Sequence, residues 1–118
     1  MISFLKVDDE FKRTLGYLPD DDALDEQTLA RMKSTLLGAE IYVQGAIGNS
    51  TNFYKREDIE PLYRLACFAI AANLFNHPSN AVSSTTAKAI IGQLRGSFDE
   101  SEEDNGSTSE SGQTKSSN

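Results

Sequence analysis

Apolar residues recur along this chain at the spacings of helices, and no stretch alternates apolar and polar positions long enough to need a strand. In "SFLKVDDEFKRTLGYL", Phe4, Val7, Phe11 and Leu15 fall three or four apart, which predicts a helix over about 3–15 that Gly16 can end. An extended connection follows. Pro19 pushes Leu18 away from helical geometry, and the aspartates after it can cap the next helix and favour its N-terminus. That second helix is expected over about 22–45, the longest element, with Leu29, Met32, Leu36, Ala39, Val43 and Ile47 in one stripe and Leu24, Leu37 and Ile41 widening it. Gly38 costs about 1 kcal/mol relative to Ala inside a helix, so a bend or a close neighbour is expected there.

"GAIGNSTNFYKRED" breaks the pattern and is read as a loop carrying Phe53, Tyr54, Lys55 and Arg56 outward. Asp58 is expected to cap a third helix over about 58–76, with Pro61 tolerated in its first turn. This helix is apolar nearly all round from Leu62 to Phe75, so it should lie centrally, and His77 and Pro78 end it. After the turn "HPSNAV", Ser84 or Thr85 can cap a short fourth helix over about 84–95, apolar at Ala87, Ile90, Ile91 and Leu94. Arg95 complements its C-terminal dipole, and Gly96 is expected to stop it. A helix this short is marginal in water unless it packs on something.

The expected fold is therefore all-α: a small bundle of three main helices plus a short C-terminal helix in residues 1–96, followed by a disordered acidic tail over 97–118. The tail holds six acids and seven serines against the single Lys115, and its one large apolar residue is Phe98. That is too little to offset the cost of ordering. The 118-residue chain has a net charge of −7, of which the tail contributes −5, so the acidity belongs mostly to the tail. A core of fewer than a hundred residues buries roughly two-thirds of its unfolded surface, and small helical chains often gain the rest by association.

The candidate chemistry is sparse. A calcium loop counted from Asp20 would need Gly at its sixth position and Glu at its twelfth, where Asp25 and Arg31 stand, so the run Asp20, Asp21, Asp22, Asp25, Glu26 is read as a solvated capping cluster. "GAIGNST" lacks the lysine that would reach a phosphate. His77 is the only histidine and Cys67 the only cysteine, which removes a His/Cys metal cluster and an internal disulfide, and Cys67 is read as a buried inert thiol. Asn49-Ser50-Thr51 and Asn105-Gly106-Ser107 match the glycosylation acceptor pattern, but no secretory signal or run of 18 apolar residues is present, so the chain is expected to stay soluble where it is made. Lys55-Arg56 is an isolated basic pair in an acidic chain, which argues against sequence-specific nucleic-acid binding. No enzyme constellation emerges; neither catalysis nor a cofactor or metal is expected.

The order of elements resembles the head-tail connector (adaptor) proteins of tailed phages with long non-contractile tails. The likeness is carried by "FKRTLGYLPDDDALDEQTL", a short helix followed by an acid-rich turn and a long helix, and by "AEIYVQGAIG", where the long helix runs through a tyrosine into a Gly-ended turn. It continues through "NLFNHPSNA" at the end of the apolar third helix and "AKAIIGQLRG" in the last one, so it covers about residues 5–96. The resemblance implies a structural virion protein, made in the host cytoplasm and located in the neck, between capsid portal and tail. It would form a homo-oligomeric ring, commonly a dodecamer, under the portal protein, extend the DNA channel without sequence-specific DNA binding, and support a stopper or tail-completion protein. It would have no membrane partner. On this reading Ile90, Ile91, Leu94, Arg95 and Phe98 are expected to dock on the portal, and Phe53, Tyr54, Lys55 and Arg56 to meet the next neck component or the channel rim. The second and third helices would make ring contacts. The residues leave a second reading open: a small intracellular helical regulator or inhibitor whose acidic tail engages a basic partner. Deleting residues 99–118 separates the two, since an inhibitor would lose function and a connector attached as far as Phe98 would lose little.

Overall fold

The computed structural model describes residues 3–18, 20–22, 24–77 and 85–110, with side chains as far as Ser101. It is all-α among the described residues: α1 (Asp9–Thr14), α2 (Glu26–Ile47), α3 (Thr51–Tyr54), α4 (Glu60–Asn76) and α5 (Thr85–Glu110). The three long helices α2, α4 and α5 form the body, with α4 packed against both of the others. The apolar composition of α4 thus puts it at the centre, as its sequence demands.

The first helix is shorter than its apolar spacing predicts. The Asp8 carboxylate accepts from the Phe11 N–H at 2.8 Å and starts α1 at Asp9. Upstream, residues 3–8 run without helix, and the Phe4 and Leu5 N–H groups donate to the Glu40 carboxylate of α2. Phe4, Leu5 and Val7 still pack on the core, and Phe11 is fully buried against Phe68, ring centroids 4.9 Å apart. After Gly16, which takes φ +93° as helix-ending glycines do, the chain turns towards Asp25. Asp25 caps α2 through the Thr28 N–H at 2.8 Å, so α2 begins at Glu26 rather than near Asp22. It runs through Gly38 to Ile47; Leu74 of α4 reaches to within 3.7 Å of where a Gly38 side chain would begin.

Three further boundaries differ from expectation. Ser50 caps a one-turn helix, α3, inside the segment read as a loop. The cap residue of α4 is Ile59, with no side-chain bond, because Asp58 is engaged by Arg56 at 2.7 Å; Pro61 sits in the first turn as foreseen. Gly96 does not stop α5, whose backbone continues as helix to Glu110. Two residues beyond Gly96, Phe98 is part-buried against the core, and that apolar contact offsets the roughly 1 kcal/mol that a helical glycine costs. Residues 97–110 are therefore helical, against the disordered tail read from composition. The turn before α5 with Ser84, and residues 111–118, lie outside the described residues.

Candidate functional site

The apolar face of α5 is spent on the chain's own core. Ala87, Ile90 and Leu94 are buried, Ile91 packs at the edge of the core, and Phe98 sets its ring edge-on to Phe53, centroids 5.1 Å apart. Of the five residues expected to meet a portal, only Arg95 stands in solvent. The helix is stable for an ordinary reason: it lays a stripe at i, i+3, i+4, i+7 and i+11 on α4 and α2, with Phe98 reaching Phe53 of α3, so it needs no second protein to pack on.

The aromatic half of the predicted neck loop is also internal. Phe53 and Tyr54 are buried, with Tyr54 between Phe53 and Tyr63 at centroid distances of 5.3 and 4.6 Å and its hydroxyl donating to the Gly48 carbonyl. Gly48 takes φ +145°, and a side chain there would begin 2.6 Å from the Phe98 ring, so the glycine is required both by its backbone and by the approach of α5. The basic half is surface: Lys55 lies 5.6 Å over the Phe4 ring and Arg56 pairs with Asp58. The Ser50 cap three residues before Phe53 was the sequence signal for this helical turn.

A buried polar cluster, for which the sequence reading made no provision, joins the N-terminal segment to the bundle. Glu40 and Gln44, one turn apart on α2, are essentially inaccessible. One Glu40 carboxylate oxygen accepts from the Ser3 hydroxyl at 3.0 Å. The other accepts from the Phe4 N–H, the Leu5 N–H and the Tyr63 hydroxyl at 3.2, 3.4 and 3.0 Å. The Gln44 amide donates to the Tyr63 oxygen at 2.7 Å. Burial pushes the Tyr63 phenol well above its ordinary range, with Cys67 and Glu40 adding to the shift, and burial does the same to the Cys67 thiol. A protonated thiol and phenol and a saturated carboxylate offer no activated nucleophile, and the cluster acts as a clasp. Its signal in the sequence was a carboxylate and an amide set in an otherwise apolar helix face.

Elsewhere the predicted polar residues hold structural places. His77 is exposed at the C-terminal end of α4, its N–H donating to the Asn73 carbonyl at 2.7 Å. Asp25 is a helix cap, with its carboxyl held below the usual range by the Thr28 N–H. No group of three or more potential metal ligands occurs among the described residues, and no described helix is long and apolar enough to cross a membrane.

Among its exposed polar and charged residues the body also presents several large apolar side chains. Ile41 and Leu37 stand one turn apart on α2, Ile41 at 51% exposure, with Tyr42 beside them, and Leu65 on α4 is 52% exposed. A groove of about 580 Å³ opens between residues 3–7 and α2. Its walls are Leu5, Val7, Leu29, Leu36 and Leu37, and Ser3, Lys6, Lys12, Lys33 and Glu40 complete the lining. No protein-family model, curated protein or solved structure matches this chain.

Proposed function

We propose that the chain is a structural assembly subunit of the head-tail connector kind, a ring component of a phage neck that sits under a portal and passes DNA. The observation that carries this reading is the set of large apolar side chains, Leu37, Ile41, Tyr42 and Leu65, left in solvent on α2 and α4 although the core beneath them is complete. A neighbouring copy covers such side chains through a heterologous contact, and a heterologous contact repeated around an axis closes into a ring. The chain is net acidic, most of that charge lying in residues 97–118, and an acidic subunit suits a channel in which DNA slides without holding to the wall. Because Ile90, Leu94 and Phe98 belong to the core, attachment to a portal is assigned to the solvent side of α5 around Arg95 instead of to its apolar face. Contact with a stopper or tail-completion protein is assigned to Lys55 and Arg56.

Light scattering and electron microscopy of the purified chain, alone and mixed with a portal ring, test this. A ring-sized mass in either sample is expected. A chain that remains monomeric in both, at concentrations up to about 1 mM, overturns the reading.

A further inference from the structure

The lysine-lined groove has a counterpart on the same chain. Leu18 is 67% exposed, the most exposed large apolar side chain among the described residues. It is held out on a turn closed by the Asp21 N–H donating to the Leu18 carbonyl at 3.1 Å and the Leu24 N–H to the Asp21 carbonyl at 3.0 Å. Asp20 and Asp22, both exposed, follow it on the same turn. The turn therefore offers one apolar anchor beside two carboxylates. The groove offers the converse: an apolar floor of Leu5, Val7, Leu29 and Leu37 with Lys6, Lys12 and Lys33 in its lining, while its one carboxylate, Glu40, is already taken by Ser3, Phe4, Leu5 and Tyr63. Lys6, Lys12 and Lys33 have no carboxylate within ion-pair distance among the described residues, in a chain where acids outnumber bases 18 to 11.

We infer that the occupant of this groove is the Leu18–Asp22 turn of a second copy, Leu18 entering between Leu29 and Leu37 and the aspartates meeting the lysines. The inference rests on the assembly reading above and names its contact. Charge complementarity selects the occupant: a neutral apolar segment would leave three lysines desolvated and unpaired, and a purely acidic one would leave the leucine floor wet. The acidic end of α5 is the other carboxylate-rich segment, and beyond Phe98, which the core has already taken, it holds no large apolar residue to fill the floor. Donor turn and acceptor groove are different surfaces of the same molecule, so the contact is head-to-tail and propagates from copy to copy.

Two measurements decide it. In the first, a synthetic peptide of residues 16–26 is titrated into the full-length Leu18→Ser chain, whose groove is intact and whose own turn is disarmed, and the backbone amide resonances are followed. Shifts are expected at residues 5–7 and 29–37, absent for a peptide carrying Leu18→Ser and about tenfold weaker for a Lys33→Glu chain. In the second, the assembled mass is compared. Leu18→Ser should abolish association and Lys33→Glu should move it to about tenfold higher concentration, and below that concentration a mixture of the two should form a pair that grows no further, since only one intact groove and one intact turn remain. Both side chains are exposed, so both variants keep the helical circular dichroism of the parent. No peptide-induced shift at the groove up to about 5 mM, or variants that assemble as the parent does, overturns the inference while leaving the assembly reading standing. Peptide binding in a parent chain that never assembles, alone or with a portal, keeps the contact and overturns the ring.

Discussion

Replacing Glu40 by alanine is expected to destabilise the fold by about 3 kcal/mol and to release the N-terminal segment. The estimate follows from what each donor to the carboxylate would do next. The Ser3 hydroxyl and the Phe4 and Leu5 N–H groups lie near the surface, so they can be rehydrated if residues 3–7 swing out. That swing forfeits the stacking of Phe4 on Tyr63, ring centroids 5.4 Å apart, and part of the burial of Leu5 and Val7, about 2 kcal/mol of apolar contact. The Tyr63 hydroxyl cannot follow. It stays buried, still receiving the Gln44 amide but without an acceptor for its own proton, at about 1–3 kcal/mol. The desolvation cost that the ionised carboxylate no longer bears offsets part of this total, leaving about 3 kcal/mol.

For a domain of this size that corresponds to a melting point lower by about 15 °C. Glu40→Gln separates acceptor geometry from charge. A glutamine oxygen placed where the Phe4, Leu5 and Tyr63 donors converge keeps those three bonds, while its amide faces the Ser3 hydroxyl, which can accept. The expected cost is about 1 kcal/mol, the difference between charge-assisted and neutral bonds. Urea denaturation gives the energies, and amide hydrogen exchange at Phe4 and Leu5 reports the segment: protection lost in Glu40→Ala, retained in Glu40→Gln. An alanine variant costing less than 1 kcal/mol, or a glutamine variant as damaging as the alanine one, would refute the clasp.

Gly48→Ala should cost at least 2 kcal/mol, since it combines a φ of +145° with a side chain 2.6 Å from Phe98, and the companion Phe98→Ala should recover only the steric part; thermal melts of the two single variants and the double variant read this directly. Arg31→Ala should cost about 1–2 kcal/mol, because its guanidinium both donates to the Phe75 carbonyl at 2.7 Å at the end of α4 and lies 4.1 Å over the Phe75 ring; Arg31→Lys should not restore it. Alkaline stability is governed by the buried phenols: burial pushes Tyr54 up to about 12 from its ordinary 10.0. A folded value above the unfolded one means stability fully present below pH 10 and lost as pH rises towards 12, so tyrosinate absorbance and helical circular dichroism should change together, and ionisation of all four tyrosines with the helices intact would refute it.

The helices were legible where their apolar stripe alone decides the outcome. Met32, Leu36, Ala39, Val43 and Ile47 mark the buried face of α2, and the all-round apolar run of α4 marks the central element, and both are found so. What escaped was set by partners distant in sequence. Phe4 and Val7 sit at helical spacing with Phe11, yet their segment is not helical: Asp8 caps α1 at Asp9, and Glu40, 36 residues away from Phe4, holds the Phe4 and Leu5 N–H groups. Phe53 and Tyr54 looked like loop residues beside Lys55 and Arg56, and only the cap from Ser50 turns them inward. Gly96 carried the usual mark of a helix end, but a stop signal works only if nothing beyond it gains by staying helical, and Phe98 gains Phe53 and the surface over Gly48.

That last correction changes what α5 can do. An element whose Leu94 and Phe98 hold the core cannot detach to dock elsewhere without exposing them, at about 2 kcal/mol for each large side chain released. Against a total stability of about 5–15 kcal/mol, that is a large fraction for a single docking event to offset. Any partner of this helix must therefore read its polar side while it stays in place. The surface apolar residues that remain unspent, Leu18 on its turn, Leu29, Leu37, Ile41 and Tyr42 on α2 and Leu65 on α4, lie outside α5 altogether. On the reading proposed above, the contact between copies uses the N-terminal half of the chain, where Leu29 and Leu37 line a groove with Lys6, Lys12 and Lys33, and where Asp20 and Asp22 follow Leu18.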